Sequence, residues 1–487
     1  MLTVLTWAVL YRHWTLQKGL RMGPKMTIAE PQHTSSSAFM RFSIGKALLG
    51  LSVARMRRPQ RGGEFDPIAG LEAIAAKSGG IPVRLNLGVM RPYLLLQPEH
   101  LEHAWGSGDV YRREGTLWKA IQRLEGYGIA GEGPRWKASR KILQPEFTVQ
   151  HTRELTPMVA ETVAEACERL VARAAGQPFD VITEMTRITH HVLIRLFFGN
   201  RISDLDAERL GTAISDAFAA IGWRTLLPMV PNAVPLPGDR TFNRAVRIAD
   251  EVIYPLIDDS IRRQSDDLVS RFVVAKDEVG ETFDRQRVRD DLVGIVIAGT
   301  ETTALTLTWL WLLLAMHPDV LDRVSSEVTS VVGVDTTLAE HLPHLRYSRM
   351  TLQETLRLYP VGWMMPRTVA AADVIDGVAL RPGDTVLLSP YLTHRLPSVW
   401  DDPERFDPER FDDVKRPRGY LPFGFGGHRC LGEHFATAEA LLVIAELLRR
   451  YRPRIVEPED VGPQALRPAA AASLRPKVRP KMVLVPR

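Results

Sequence analysis

The stretch Phe423-Gly424-Phe425-Gly426-Gly427-His428-Arg429-Cys430-Leu431-Gly432 constrains this chain more than any other ten residues. It sets four glycines around one cysteine, and glycine reaches the left-handed backbone region without steric cost. A backbone that turns sharply about a thiol can aim its amide N–H groups inward. A metal-ligating thiolate needs such donors, a stabilised charge and little water at the sulfur. Cys430 is read as the start of a closing helix, whose dipole favours an anion there. Phe423 is placed to cover the sulfur, and Gly432 to let the helix come close to a flat group. A glycine-rich turn around an inert buried cysteine would have the same composition, so the loop has to be weighed with the rest of the chain.

The second cysteine, Cys167, lies in the helical run Val163 to Leu170 and is read as a small core residue. Two cysteines in 487 residues make no disulfide framework, which points to a reducing, cytoplasmic setting. With 45% hydrophobic residues there is ample material for a large core. A formal net charge of only +5 does not suggest a nucleic-acid partner. The apolar run Met1 to Leu10 is about half a bilayer span, so no integral membrane anchor is expected.

The pattern predicts mainly α structure with small β-sheets, an α+β class without βαβ alternation. Residues 1–60 read as an irregular segment and 61–487 as one domain, with a small β-rich lobe from about 80–97 and 361–390. A helix is expected near Ile68 to Ala76, and strands at Val83 to Leu87 and Tyr93 to Leu96. Helices dominate from Pro98 to Ile261, broken by the Pro/Gly stretch Pro228 to Gly238. A long helix is expected from Asp284 to Met316, stopped by His317-Pro318, and a shorter one from Ser348 to Leu358. Strand-like pieces follow at Val374 to Val378 and Thr385 to Leu388, then a helix from Cys430 to Tyr451 and a last strand at Lys481 to Val485.

The long helix carries Ala298-Gly299-Thr300-Glu301-Thr302-Thr303, a stretch poor in helix formers. Threonine hydroxyls that bond back to carbonyls one turn earlier can open the ladder and make room beside it. A hydroxyl next to an acid also supplies a proton-delivery pair.

Taken together, these motifs resemble the cytochromes P-450. The cysteine loop matches the family's F-x-x-G-x-[R/H]-x-C-x-G, and residues 298 to 303 match [A/G]-G-x-[D/E]-T-[T/S]. Trp136-Lys137-Ala138-Ser139-Arg140 resembles its W-x-x-x-R, Glu354-Thr355-Leu356-Arg357 its E-x-x-R, and Phe406-Asp407-Pro408-Glu409-Arg410-Phe411 its F-x-P-E-R-F. The five motifs stand in the family's order, over about residues 80 to 487.

The resemblance implies the cytochrome P-450 fold, with the long helix over a haem b and the cysteine loop below it. It implies Cys430 as the iron ligand and Ala298 and Gly299 over the haem face. Thr302 becomes the oxygen-side hydroxyl and Glu301 the acid of a proton relay. Trp136, Arg140, Arg367 and His428 become haem-propionate partners, with Arg112 a further candidate, while Glu354, Arg357 and Arg410 form a folding network. The implied reaction is monooxygenation of a hydrophobic small molecule by O2, of terpenoid, polyketide or fatty-acid type. Pocket segments are expected at residues 113–130, around Trp223, at 296–303, at 361–365 and at 472–474. Electrons would come from a separate ferredoxin, flavodoxin or reductase, docked on basic residues such as Arg135, Lys137, Lys141, Lys415, Arg416 and Arg418. Oxidative coupling, desaturation and a non-catalytic haem sensor are the alternative readings; the adjacent Glu301 and Thr302 speak against a sensor.

Overall fold

The computed structural model describes residues 41–42, 66–87, 90–199, 201–221, 224, 230, 233–263, 268–277, 280–332, 338–412, 417–456 and 466–487. Trp223, Lys415 and Arg416, part of the stretch Pro228 to Gly238 and nearly all of residues 1–60 lie outside them.

Fifteen helices occur among the described residues: α1 (Pro67–Ser78), α2 (Pro98–Gly106), α3 (Thr116–Glu125), α4 (Gly133–Leu143), α5 (Val149–Ala174), α6 (Val181–Phe198), α7 (Asp204–Ala220), α8 (Asp239–Arg263), α9 (Leu268–Val274), α10 (Arg285–Met316), α11 (Pro318–Val332), α12 (Leu338–His341), α13 (Arg346–Leu358), α14 (Pro390–Thr393) and α15 (Glu433–Arg450). Their ends follow capping chemistry. Asp66 accepts from two amides of the first turn of α1, Pro67 opens that helix, and Gly79 closes it at φ 61°. Thr148, Asp180, Ser203 and Asp284 cap α5, α6, α7 and α10 in the same way.

Strands β1 (Arg41–Phe42), β2 (Val83–Leu85), β3 (Tyr93–Leu95), β4 (Tyr111–Arg112), β5 (Phe179–Asp180), β6 (Met365–Val369), β7 (Asp373–Ile375), β8 (Val378–Leu380), β9 (Thr385–Leu388), β10 (Tyr451–Ile455), β11 (Pro468–Ala469), β12 (Arg475–Pro476) and β13 (Lys481–Pro486) form the small sheets. The largest sheet runs β1-β2-β3-β9-β6-β4, and a three-stranded sheet runs β10-β13-β5. Strand β9 joins the first sheet by pairing parallel to β3 and antiparallel to β6, which brings chain from residues 80–95 beside chain from 365–388.

Two expectations need correction. The piece Val374 to Val378 is not one strand but the hairpin β7–β8, turning at Asp376 and Gly377, both with positive φ. The last helix starts at Glu433, not at Cys430. The Cys430 N–H is taken by the Phe423 carbonyl (2.9 Å), a 3₁₀ turn occupies Gly426–His428, and the chain becomes helical only after Gly432.

Helix α10 is the axis of the fold. It packs along α6, and also against α3, α8, α13 and α15. It is the one described helix long and apolar enough to cross a membrane, but most of its apolar stretch is buried within the protein, as in a core helix. Cys167 on α5 lies in the same core, where burial pushes its thiol far up.

Candidate active site

The cysteine loop is built on two glycines with left-handed backbone, Gly424 (φ 71°) and Gly426 (φ 69°). A Cβ at Gly426 would stand 2.4 Å from the Trp105 carbonyl oxygen of α2, so no other residue fits there. The Gly432 N–H is directed at the Cys430 sulfur. Cys430 is surrounded by protein, yet part of it is exposed. Its accessible surface therefore faces an internal space. Burial pushes the thiol up, and Glu433 adds to this; the Gly432 amide, Arg140 and Arg429 pull the other way. Phe423 is half-buried at the base of the loop. Around Gly432 the protein itself leaves room: an added Cβ would meet the Phe147 ring at an ordinary 3.9 Å.

Beside the loop lies a cluster of cations. Arg367, on β6, is 1% exposed. Its Nη1 donates to the Pro366 carbonyl at 2.8 Å. Arg140, on α4, donates to the Arg429 carbonyl at 2.9 Å. Arg113, just past β4, donates to the His428 carbonyl at 3.4 Å, and its Nε is buried with no partner among the described residues. Among the described residues all three guanidinium groups bond carbonyl oxygens and none forms an ion pair. Trp118 lies under two of them, 5.3 Å from Arg113 and 5.6 Å from Arg367, and donates its own N–H to the Pro366 carbonyl. Burial lowers all three, Arg113 to about 10 and Arg367 to about 9; repulsion from Arg140 adds to the effect on Arg113, and repulsion from Arg113 to that on Arg367. Such a group of desolvated cations calls for an anion.

His428 belongs to the same cluster. Burial, together with Arg113 and Arg367, brings it down to about 4 and keeps it neutral, so its Nε2 donates to Glu132 at 3.0 Å. Its Nδ1 is buried with no partner among the described residues. Burial opposes ionisation of Glu132, but the His428 bond and the Arg113 backbone N–H (2.7 Å) outweigh it and hold the carboxyl at about 2. The Trp136 ring packs on His428, tilted by 34° with centroids 3.9 Å apart, and Arg140 lies over the same indole at 5.9 Å. Arg112, by contrast, faces outward beside Glu114 with 44% of its side chain exposed. Sequence reasoning missed Arg113 and Trp118.

Helix α10 supplies the other wall. From Arg287 to Leu314 every residue is buried except Ala298, Gly299, Glu301 and Thr302. Ala298 and Thr302, four residues apart on one face, are exposed in the middle of a core helix and so border an internal space. The Thr302 hydroxyl donates to the Ala298 carbonyl at 2.6 Å, the back-bonding expected from the threonine cluster. Gly299 turns elsewhere: its missing Cβ would stand 2.6 Å from a methyl of Leu193 on α6. That glycine serves the close packing of α10 on α6, where Thr189 also donates to the Thr300 carbonyl at 3.0 Å. Glu301 points to the C-terminal tail and is held there by Ser473 and Arg475.

A family model for cytochrome P450 matches residues 72–482. The chain is a cytochrome P450. Its cofactor is accordingly haem b and its class of activity monooxygenation. The cations, without an ion pair among the described residues, fit a cofactor that carries two propionates, and the accessible sulfur beside the Gly432 amide fits its iron. The chain is 32% identical to cyclooctat-9-en-7-ol 5-monooxygenase from Streptomyces melanosporofaciens, over 84% of this chain and 88% of that protein. It is 27% identical to pentalenene oxygenase from Streptomyces avermitilis, over 79% and 86%. Among solved structures, CYP175A1 from Thermus thermophilus superposes with a TM-score of 0.70 at 26% identity, covering 91% of this chain and 99% of that one.

In this P450 the loop before the cysteine is tied to the core by a buried network. Arg357 and Glu354 are completely buried and share two bonds of 2.7 and 2.8 Å. Arg357 also donates to the carbonyls of His394, Pro403 and Arg405, and Arg410 approaches Glu354 at 3.4 Å. His394 extends the network. Burial brings it to about 3, so it is neutral; its Nδ1 donates to the Arg357 carbonyl and its Nε2 accepts from the Leu421 N–H, each at 2.9 Å. Leu421 lies two residues before Phe423. His394 carried no recognisable motif, because its partners are main-chain groups distant in sequence.

Proposed function

We propose that this P450 oxygenates a terpenoid hydrocarbon, by hydroxylation or epoxidation. The observation that carries the reading is the internal space bordered by Ala298 and Thr302 on α10, in a protein related to two enzymes named for terpenoid oxidation. Near that helix the tail brings in further apolar groups: Leu474 and Val361 are buried and joined by a 3.0 Å backbone bond, and buried Trp363 donates to the Ala471 carbonyl.

Haem bound through a thiolate supplies the oxygen chemistry, in which one atom of O2 enters the substrate and one leaves as water. The chain's residues have the following roles in this reading. Cys430 binds the iron, with the Gly432 N–H stabilising charge on its sulfur. Arg113, Arg140 and Arg367 hold the propionates, and His428, whose ring Trp136 keeps in place, lies beside them. Thr302 presents a hydroxyl to the oxygen side and Glu301 relays protons from solvent. Electrons come from a separate ferredoxin, flavodoxin or reductase. The exposed Arg135, Lys137 and Lys141, on the helix whose Arg140 touches the cysteine loop, suit an acidic partner in the cytoplasm. Arg418 is engaged by Glu99.

The test is a Soret-shift screen of cyclic terpene hydrocarbons against polyketides and fatty acids, followed by product analysis under ¹⁸O2. Terpene binders that acquire one labelled oxygen support the reading; exclusive response to fatty acids overturns it. In the same assay Thr302→Ala keeps haem and substrate binding but diverts reducing equivalents to hydrogen peroxide. Wild-type coupling in that variant removes Thr302 from the mechanism.

A further inference from the structure

Glu301 sits between two surroundings. Its helix borders the internal space through Ala298 and Thr302, while its own carboxylate leaves that face and meets the tail. There Arg475 Nη2 donates to Oε1 at 2.8 Å and the Ser473 hydroxyl donates to the same oxygen. Arg475 also reaches Ser473 Oγ at 3.3 Å, closing a three-membered cluster. The arginine side chain is about a third exposed and the glutamate side chain only 14%, so the pair spans the step from interior to surface.

The tail turn that delivers these two side chains is held from several directions. Leu474, between them, is fully buried; its N–H donates to the Val361 carbonyl and its own carbonyl accepts from the Trp309 indole, each at 3.0 Å. Trp309 lies on α10 itself, two turns beyond Glu301. The Trp363 indole donates to the Ala471 carbonyl at 2.9 Å, and β12 pairs with β11 from Arg475 onward. The turn is thus registered directly against the helix that carries the acid. A surface ion pair between freely moving side chains would do little; this one joins two fixed backbones.

We propose that Arg475, assisted by Ser473, is the positioning residue for the Glu301 carboxylate. It anchors Oε1 toward solvent and leaves Oε2 to exchange protons with water leading to Thr302. The inference rests on the reading of Glu301 as the relay acid, and adds that the C-terminal turn sets the geometry of that relay. A single anchored oxygen keeps the carboxylate within reach of both bulk water and the groove, whereas an unanchored one would sample rotamers that reach neither.

The experiment uses holoenzymes of Arg475→Met, Arg475→Lys, Ser473→Ala, Glu301→Gln and the Glu301→Gln/Arg475→Met double variant. NADPH-driven product formation is measured in H2O and D2O with a surrogate ferredoxin and reductase. The substrate is the terpene hydrocarbon giving the largest Soret shift. Thermal midpoints are measured alongside, without turnover. Arg475→Met is expected to lower product formation by up to about a hundred-fold, the loss that a misplacement of about 1 Å can cause, and to enlarge the solvent isotope effect. Arg475→Lys recovers most of the rate, the Soret titration is unchanged, and Arg475→Met adds nothing in the Glu301→Gln background. The two midpoint losses are non-additive, as for residues in contact. Wild-type rate and isotope effect in Arg475→Met, with Glu301→Gln slow, overturn the positioning role and leave the relay standing. A Glu301→Gln enzyme as fast as wild type overturns both. Additive midpoint losses overturn the proposal independently of turnover, since the pair would then be absent in solution.

Discussion

Arg112 and Arg113 are neighbours with opposite fates. Tyr111 and Arg112 form β4, and strand alternation sends Tyr111 inward, Arg112 out to solvent and Arg113 back inward, over Trp118. The same alternation gives β6 a buried Arg367 between less buried neighbours. A buried guanidinium facing a carboxylate ligand matters because removing one partner leaves the other desolvated and alone, at a cost of roughly 2–5 kcal/mol. Arg113→Leu and Arg367→Leu are therefore expected to lose haem on dilution or gel filtration, with a fall in the Soret-to-protein absorbance ratio. Arg112→Leu should retain wild-type occupancy. Equal haem retention in all three variants would remove Arg113 from the propionate site.

At the scale of elements, α10 and α6 are the pair that decides where the internal space lies. Gly299 lets them approach; Thr189 and the Thr300 carbonyl lock their register. Replacing Gly299 by alanine gains about 1 kcal/mol of helix propensity. It also drives a methyl into Leu193, a core side chain only 2% exposed, and overpacking of this kind costs about 1–3 kcal/mol. The steric cost outweighs the gain in propensity, so Gly299→Ala should lower the thermal midpoint. Adding Leu193→Val, which removes a methylene at the point of contact, should restore it. A Gly299→Ala protein more stable than wild type would show that the helices are not in contact there.

At the scale of the molecule, buried charges join the start of α10 to the segments before it. Asp291 is completely buried and accepts from the Ser139 hydroxyl of α4 at 2.7 Å and the Ile129 N–H at 2.6 Å. Burial raises its carboxyl from 3.8 to about 7 against these bonds and the pull of Arg287. The unfolded chain then gives up this proton near pH 4, while the folded chain keeps it to about pH 7. Between those values the unfolded state binds fewer protons, so the group makes stability fall as pH rises, by an amount on the order of 4 kcal/mol. Above pH 7 its contribution is constant. Asp291→Asn keeps the hydrogen-bonding shape without the ionisation. Its thermal midpoint relative to wild type should therefore rise between pH 4.5 and 7.5; a pH-independent difference would contradict the assignment.

Several features were legible in the residues alone because each depends on local chemistry. The cap and stop of α10 are set by Asp284 at its start and His317-Pro318 at its end. Strands β3 and β9 follow from short apolar runs between turn residues. The cysteine loop shows its glycines because only they can take the positive φ that the turn demands. What the tertiary structure alone decided depends on distant chain segments meeting. A charge next to Trp118 or beyond it looks the same in sequence until β4 pairs with β6, and only then is Arg113 the buried one. Gly299 reads as part of an oxygen groove until α6 lies against it. Glu301 reads as an acid free to relay protons until the tail, more than 170 residues later, places Ser473 and Arg475 on its carboxylate. Local backbone preference is written in single residues and short spacings, whereas the partner of a buried charge is fixed only when remote elements pack.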